Sequence, residues 1–262
     1  MSAFDLLHFD TNDNNSQYTL GNCYDTTFTL SSGYKRIRKI NLCSLEMPIV
    51  FTNIRSDNTS NVIWIGVGGT THLRTLSNAN YTSISALLTE INRQFSNLPA
   101  SILPTFSLVN NYIIKISTPT PTTIQIFDSL LANMILGFPK GYYNVERGNV
   151  AYITGANSFN LNYDNFIALY LNIPSTCTSS GNHLISYKIP LNAVSGMVYY
   201  LGQNNTFEQS VVLTDKNFVL RNFRIQVFDR FGYPITQATD YTFSLSFFYY
   251  EDETQYLYDM SN

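Results

Sequence analysis

Charge is scarce in this chain. Of its 262 residues only 13% are Asp, Glu, Lys or Arg, and the net charge is −3; soluble domains usually carry about 25%. Such a balance leaves no electrostatic footprint for a nucleic acid, so no specific nucleic-acid partner is expected. Cysteine is scarce as well. Cys23, Cys43 and Cys177 are odd in number and widely spaced, which excludes a disulfide framework and reads as reduced structural thiols. The histidines are His8, His72 and His183, none with a His, Cys or carboxylate at metal-ligand spacing, so neither metal nor cofactor is expected. No apolar run approaches the ~20 residues that span a bilayer. Residues 1–10 carry Asp5 and Asp10 in place of a basic leader, so synthesis in the cytosol and no membrane span are the expectation.

What is abundant is aromatic: 19 Tyr and 18 Phe against a single Trp. Tyr buries a large ring yet keeps a polar tip, which suits a half-buried contact surface. Composition leaves two readings open, a surface meant to be covered by neighbours or an ordinary all-β protein from an AT-rich genome. Patterning is more decisive. Short aromatic and β-branched runs recur at 163–173, 184–189, 197–201, 210–213, 218–228 and 241–250, with turn residues between them, as in an antiparallel sandwich or barrel.

The first half adds strands at 24–30, closed by Ser31-Ser32-Gly33, at 37–47, with Pro48 marking an edge or bend, and at 49–54. Residues 1–19 are polar and without sustained periodicity, and are expected to form a flexible arm. Residues 55–61 read as a turn-rich loop.

Between 62 and 138 the character changes. A buried strand at 62–67 ends in Gly68-Gly69. Ser83 then caps a helix whose Ile84, Leu87, Leu88, Ile91 and Phe95 share one face, with Pro99 beyond its end. Residues 106–109 and 112–117 read as a hairpin about Asn110-Asn111. Residues 124–127 are one more strand, and 129–136 a short helix stopped by Gly137.

The expected fold is therefore mainly β: a single jelly-roll β-sandwich with an inserted small α+β module carrying one amphipathic helix. Residues 1–19 form the arm, 20–57 and 150–250 the sandwich, 58–149 the insertion and 251–262 a tail. Two separate domains are the other arrangement that fits.

No motif brings chemistry. Gly66-Val67-Gly68-Gly69-Thr70-Thr71 lacks the Lys-Ser/Thr of a phosphate loop and the third Gly of a dinucleotide fingerprint, and reads as a hairpin or strand exit. A cupin-type metal site would need clustered His and Glu. Ser195 has no Gly-X-Ser-X-Gly elbow around it and reads as a turn serine. Glu251-Asp252-Glu253 reads as a solvated terminus, not a glycosidase pair. Lys35, Arg36, Arg38 and Lys39 form the one basic cluster, read as an exposed strand start or a contact for an acidic partner. Asp229-Arg230-Phe231-Gly232-Tyr233-Pro234 reads as a hairpin loop between two long strands. No catalytic, cofactor-binding or metal-ligating residue is assigned.

Several segments together resemble a known family. They are Leu45-Glu46-Met47-Pro48-Ile49-Val50-Phe51-Thr52-Asn53-Ile54, Asn80-Tyr81-Thr82 with the helix at 84–95, and Leu136-Gly137-Phe138. Ile189-Pro190-Leu191, residues 218–229, Gly232 and residues 243–248 complete the set. In this order they are similar to the penton and related minor capsid proteins of virophages, polinton-like viruses and large icosahedral double-stranded DNA viruses, over roughly residues 35–250. The resemblance implies a jelly roll standing in the virion shell, five copies at each vertex, assembled in the host cytoplasm or a viral factory. Its partners would be itself, the major capsid protein, and other minor capsid proteins or a host receptor. It implies no catalysis. A ring of five needs two different adhesive flanks and few repelling charges, which the composition meets. The alternatives are another minor capsid or cement protein, or a receptor- or glycan-binding head that stacks sugars on Trp64 or Tyr233.

Overall fold

The computed structural model describes residues 4–11, 16–19, 22–48, 52–140, 147–175, 178–180, 183–191, 198–201, 210–236, 238 and 240–250. In chain order the strands are β1 (Phe4–Asp10), β2 (Ser16–Thr19), β3 (Asn22–Lys35), β4 (Ile37–Pro48), β5 (Val62–Val67), β6 (Thr70–Thr75), β7 (Thr105–Val109), β8 (Ile113–Ile126) and β9 (Arg147–Thr154). They continue with β10 (Phe166–Leu171), β11 (Thr178–Ser180), β12 (His183–Ile185), β13 (Tyr187–Pro190), β14 (Val198–Leu201), β15 (Ser210–Val212), β16 (Val219–Phe228) and β17 (Thr242–Tyr249). Helix α1 spans Ile84–Phe95, and a π-type turn spans Leu131–Ile135. The chain is mainly β and divides into two compact units, Met1–Phe51 with Asp164–Asn262, and Thr52–Tyr163.

Among the described residues the first unit holds two five-stranded antiparallel sheets and the two-stranded ladder β11–β12. One five-stranded sheet has the order β1-β17-β4-β14, with β15 also paired to β4; the other has the order β13-β10-β16-β3-β2. Period-two alternation decides what each strand buries. In β17, Phe243, Leu245 and Phe247 point into the core, and the register sets Phe9 of β1 opposite Phe243 and Leu7 opposite Leu245. The sheets meet across four rings. Phe9 and Phe243 from the first sheet lie with centroids 5.0–5.3 Å from Phe28 or Phe223 of the second. Such ring pairs add about 0.5–1.5 kcal/mol each beyond their area burial. Tyr187, fully buried on β13, donates its hydroxyl across the layers to Ile40 O (3.0 Å). That bond satisfies the polar tip of an otherwise apolar core residue.

The second unit is a sheet of order β6-β5-β8-β7, with β9 also paired to β8. Ile63, Ile65, Val67, Ile114, Ile116, Ile124 and Ile126 are buried along it. Helix α1 buries Ile84, Leu87, Leu88, Ile91 and Phe95, each worth about 1.5–3 kcal/mol on full burial. Ser83 Oγ accepts from Ala86 N–H at the helix start (3.2 Å). At the other end Arg74 Nε donates to Gln94 O (2.9 Å), a cation at the negative end of the helix dipole. Asn92 ties the helix to β7, donating to Phe106 O (3.0 Å) and accepting from Phe106 N–H (2.7 Å).

Several expectations are corrected. The arm expected at 1–19 contains β1 and β2: β1 adds an edge strand to β17, because Leu7 and Phe9 alternate into the core within a polar stretch. Ser31-Ser32-Gly33 does not close β3, which runs to Lys35; the turn is made at Arg36, with φ 58°. Thr70–Thr75 is strand β6, joined to β5 through Gly68 and Gly69 at φ 60° and 77°, the left-handed pair of a two-residue hairpin. Residues 113–126 form one strand through Pro119 and Pro121, not two. The strand expected at 49–54 leaves only an isolated bridge at Ile54; residues 49–51 lie outside the described residues. The two compact units divide at 51/52 and 163/164, and β9 pairs with β8 within the second. Residues 229–234 form a hairpin turn that folds back on the end of β16 through the Phe228–Pro234 bridge, but they do not pair β16 with β17, which belong to different sheets. The tail at 251–262 lies outside the described residues.

Candidate interaction surface

Of the segments that carry the family resemblance, residues 52–54, 80–82, helix α1 and residues 136–138 lie in the second unit, where they pack the fold; the others lie in the first. Asn53 Nδ2 donates to Tyr81 O, and Tyr81 N–H donates back to Asn53 Oδ1, both at 2.9 Å. Ile54 and Ala79 exchange backbone bonds beside them. Gly137 has φ 79°, and a Cβ there would stand 2.2 Å from Asn157 O. Phe138 is fully buried, with its N–H on Ala132 O and its O accepting from Asn133 Nδ2. These residues hold backbone in place; none presents a reactive group.

Residues 55–61, expected as a turn-rich loop, bury Arg55, Asn58, Ser60 and Asn61. Arg55 Nε lies 3.1 Å from Asp57 Oδ1. Ser60 Oγ takes Arg55 N–H (2.9 Å), and Asn58 Nδ2 donates to Tyr163 Oη (3.1 Å). Side chains here satisfy the backbone groups that a sheet would satisfy elsewhere. A spacing of one cation among Asn and Ser residues carried no sign of this.

The polar groups weighed for chemistry are scattered. His8 Nδ1 lies 2.6 Å from Ser244 Oγ, which in turn accepts from Ser44 Oγ (2.6 Å). This Ser-His pair arises because His8 and Ser244 face each other across β1 and β17 on the outer side of the sheet. His72 sits on β6 with a buried Nε2 lacking a hydrogen-bond partner, and burial, aided by Arg74, holds its pKa below the usual value. A neutral imidazole follows. The side chain of His183, and the whole of Ser195 and of 251–253, lie outside the described residues. Among the described residues no group of three His, Cys, Asp or Glu could hold a metal ion.

What the molecule does present is aromatic surface. In the second unit Trp64 and Leu73 form a cross-strand pair on β5 and β6, 42% and 56% exposed, with Trp64 stacked on Phe127 at 4.5 Å. Lys115 and the exposed Tyr152 form a second spot, with Nζ 5.9 Å from the ring. In the first unit Asp229 is fully buried and accepts from Phe231 N–H (2.8 Å) and Tyr233 N–H (2.9 Å). That Asp-capped turn, with Gly232 at φ 84°, exposes Tyr233. Close by, Lys188 Nζ stands 4.3 Å from the Phe166 ring, and Arg230 lies between Phe166 and Phe231. No helix among the described residues is long and apolar enough to cross a membrane.

Compared with known proteins, the chain matches no family model and no curated protein. Among solved structures it is similar to the crystal structure of the SeMet-labelled mavirus penton protein, at 13% sequence identity and a TM-score of 0.49, covering 95% of this chain and 100% of that one.

Proposed function

We propose that this chain is a structural protein of a viral capsid, and more narrowly a penton that closes icosahedral vertices as a pentamer. The observation that carries the reading is strand order. With β1, β3, β4, β10, β13, β14 or β15, β16 and β17 numbered one to eight, the facing sheets run 1-8-3-6 and 5-4-7-2. That order supports a single jelly roll, two Greek keys folded into a double sheet. Jelly rolls also serve lectins and cupins, so fold alone does not choose a function. The choice comes from the ordered resemblance at 45–54, 80–95, 136–138 and 218–248. Low charge and exposed apolar side chains such as Trp64, Leu73, Tyr152 and Tyr233 supply flanks that other subunits can cover. The partners on this reading are copies of itself and the major capsid protein, and it requires no cofactor and no reaction.

The test is to label the protein in intact particles. Density at the five-fold axes is the expected result, and density confined elsewhere would end the penton reading while leaving a cement role. A pentamer of about 149 kDa by light scattering, five copies of the 29.7 kDa chain, would agree. A second reading, a receptor- or glycan-binding head, is favoured by the rings and cations around Phe166, Lys188, Arg230 and Tyr233. A stable trimer with glycan affinity would select it.

A further inference from the structure

Of the two histidines whose side chains are described, His8 is exposed and His72 is turned inward. Strand β6 pairs with β5 and, among the described residues, with no strand on its other side. Its register sets His72 opposite Ile65 and Arg74 opposite Ile63. Both isoleucines are fully buried, so these two side chains lie on the core face of the sheet, while Thr71, Leu73 and Thr75 point outward. Arg74 clamps the edge strand to helix α1. Its Nε donates to Gln94 O (2.9 Å), its Nη2 to Asn97 Oδ1 (3.2 Å), and its Cζ stands 5.4 Å from the Phe95 ring. Two positions from this clamp, on the same face, His72 Nε2 is buried without a hydrogen-bond partner among the described residues.

A neutral imidazole fits such a seat and an imidazolium does not. Both ring nitrogens of the charged form are donors, so protonation places a charged N–H where no acceptor stands. The ionisable groups nearby are of like sign or already engaged. Strand β5 has none, and Arg74 is itself a cation. On helix α1 Glu90 is bonded by Arg93 Nε and by Gln94 Nε2, both at 2.7 Å. Ahead of the helix Tyr81 is a neutral phenol whose pKa burial raises, and residues 96–109 after it hold no ionisable side chain. Arg55 and Asp57, before β5, are paired with each other (3.1 Å). Lys115 of β8 lies on the opposite face of the sheet, 5.9 Å from the Tyr152 ring.

We propose that His72 makes strand β6 an acid-sensitive latch: protonation of its imidazole frees β6 from helix α1 and opens the edge of the second unit's sheet. The proton acts twice, by requiring hydration that only opening supplies and by repelling the guanidinium that holds strand to helix. Burial, then Arg74, lowers the His72 pKa from its ordinary 6.5. The opened chain therefore takes the proton first. The latch is at full strength above about pH 6.5 and weakens as pH falls below that value, by at most about tenfold per pH unit for one proton. This inference does not depend on the capsid reading, and its test uses the isolated chain.

Hydrogen exchange followed by mass spectrometry reads the opening, as protection factors corrected for the pH dependence of intrinsic exchange. Between about pH 7.5 and about pH 5.5, above the range where most carboxylates titrate, protection over residues 70–75 is expected to fall about tenfold. Peptides from β10 and β17 of the first unit should keep theirs. His72→Leu fills the seat with a side chain that cannot titrate and should abolish the fall; His72→Gln gives the same comparison should the leucine variant not fold. His8→Gln should leave the fall intact. Protection over 70–75 that is indifferent to pH in the unaltered protein would overturn the proposal. So would an equal fall in the His72 variants, or a fall of the same size in β10 and β17, which would assign the effect to other groups.

Discussion

Gly137→Ala and Gly69→Ala form a matched pair that separates backbone conformation from close packing. Both glycines have left-handed φ, 79° and 77°, so an alanine at either position bears a conformational cost of about 1–2 kcal/mol. They differ in surroundings. A Cβ at Gly69 meets nothing within 4 Å, whereas one at Gly137 stands 2.2 Å from Asn157 O and 2.9 Å from Ser158 O. Those are backbone atoms and cannot swing away. Relief requires the 137–138 or 157–158 strand of chain to shift, which strains the bond from Asn157 N–H to Gly137 O (3.0 Å) and the seat of the buried Phe138. A lost hydrogen bond is worth about 1 kcal/mol and a vacated Phe site about 3–5, so a partial shift brings the total for Gly137→Ala to about 4 kcal/mol. Urea unfolding followed by Trp64 fluorescence reads the effect within the same unit, because Trp64 is the sole Trp and stacks on Phe127. With a slope of about 1.5 kcal/mol per M, Gly137→Ala should lower the midpoint by about 2 M more than Gly69→Ala. Midpoints that agree within ~0.3 M would refute the packing argument at this turn.

Three further outcomes follow from the geometry. Phe243→Ala, which empties the centre of the four-ring contact between the two sheets, should cost about 3–5 kcal/mol, read by loss of near-ultraviolet Tyr circular dichroism at lower denaturant. Asp57→Asn removes the anion 3.1 Å from the fully buried Arg55; breaking a buried pair costs about 3–5 kcal/mol, and Trp64 unfolding curves should show it. Burial, then the neighbouring Asp240 carboxylate, pushes the Cys23 thiol up to about 11. At pH 8 its thiolate population, and hence its alkylation rate by site-resolved mass spectrometry, should be about a hundredfold below that of the same cysteine in the unfolded chain. Because the folded value is raised, the stability linked to this thiol is intact below about pH 9 and is lost as pH rises through 11.

Where sequence reasoning worked, a single local signal was enough. Ser83 followed by Ile84, Leu87, Leu88, Ile91 and Phe95 named helix α1 to the residue, because capping and a 3.6-residue period are both local. Asn110-Asn111, both at positive φ, marked the β7–β8 turn in the same way. Where it failed, the deciding contact was distant. Strand β1 is too polar to announce itself, and its place on the sheet is set by pairing with β17, more than 230 positions away, which puts Phe9 and Leu7 beside Phe243 and Leu245. Pro119 and Pro121 would break a central ladder, yet β8 passes through them where its register with β9 is irregular. The aromatic surface spots were legible only as composition, since no spacing rule pairs Trp64 with Leu73 until the Gly68-Gly69 turn is known to be a two-residue hairpin.

Among the described residues the polar groups are dispersed, and exposed apolar and aromatic side chains are what the surface presents. A catalytic group needs a neighbour that shifts its pKa or aims it, and both require several ionisable groups to converge. Here charged residues are few, and those that are buried serve local backbone. Asp229 accepts the amides of its own turn, and Arg55 is closed over by Asp57 and Ser60. The closest approach to a catalytic pair, His8 with Ser244, follows from one antiparallel register on an outer sheet face. Its serine is hydrogen-bonded to a second serine, and among the described residues no carboxylate bonds the imidazole. Ser244→Ala should therefore leave assembly and folding nearly unchanged, by less than about 1 kcal/mol. A loss of function in that variant, with stability retained, would favour an enzymatic reading.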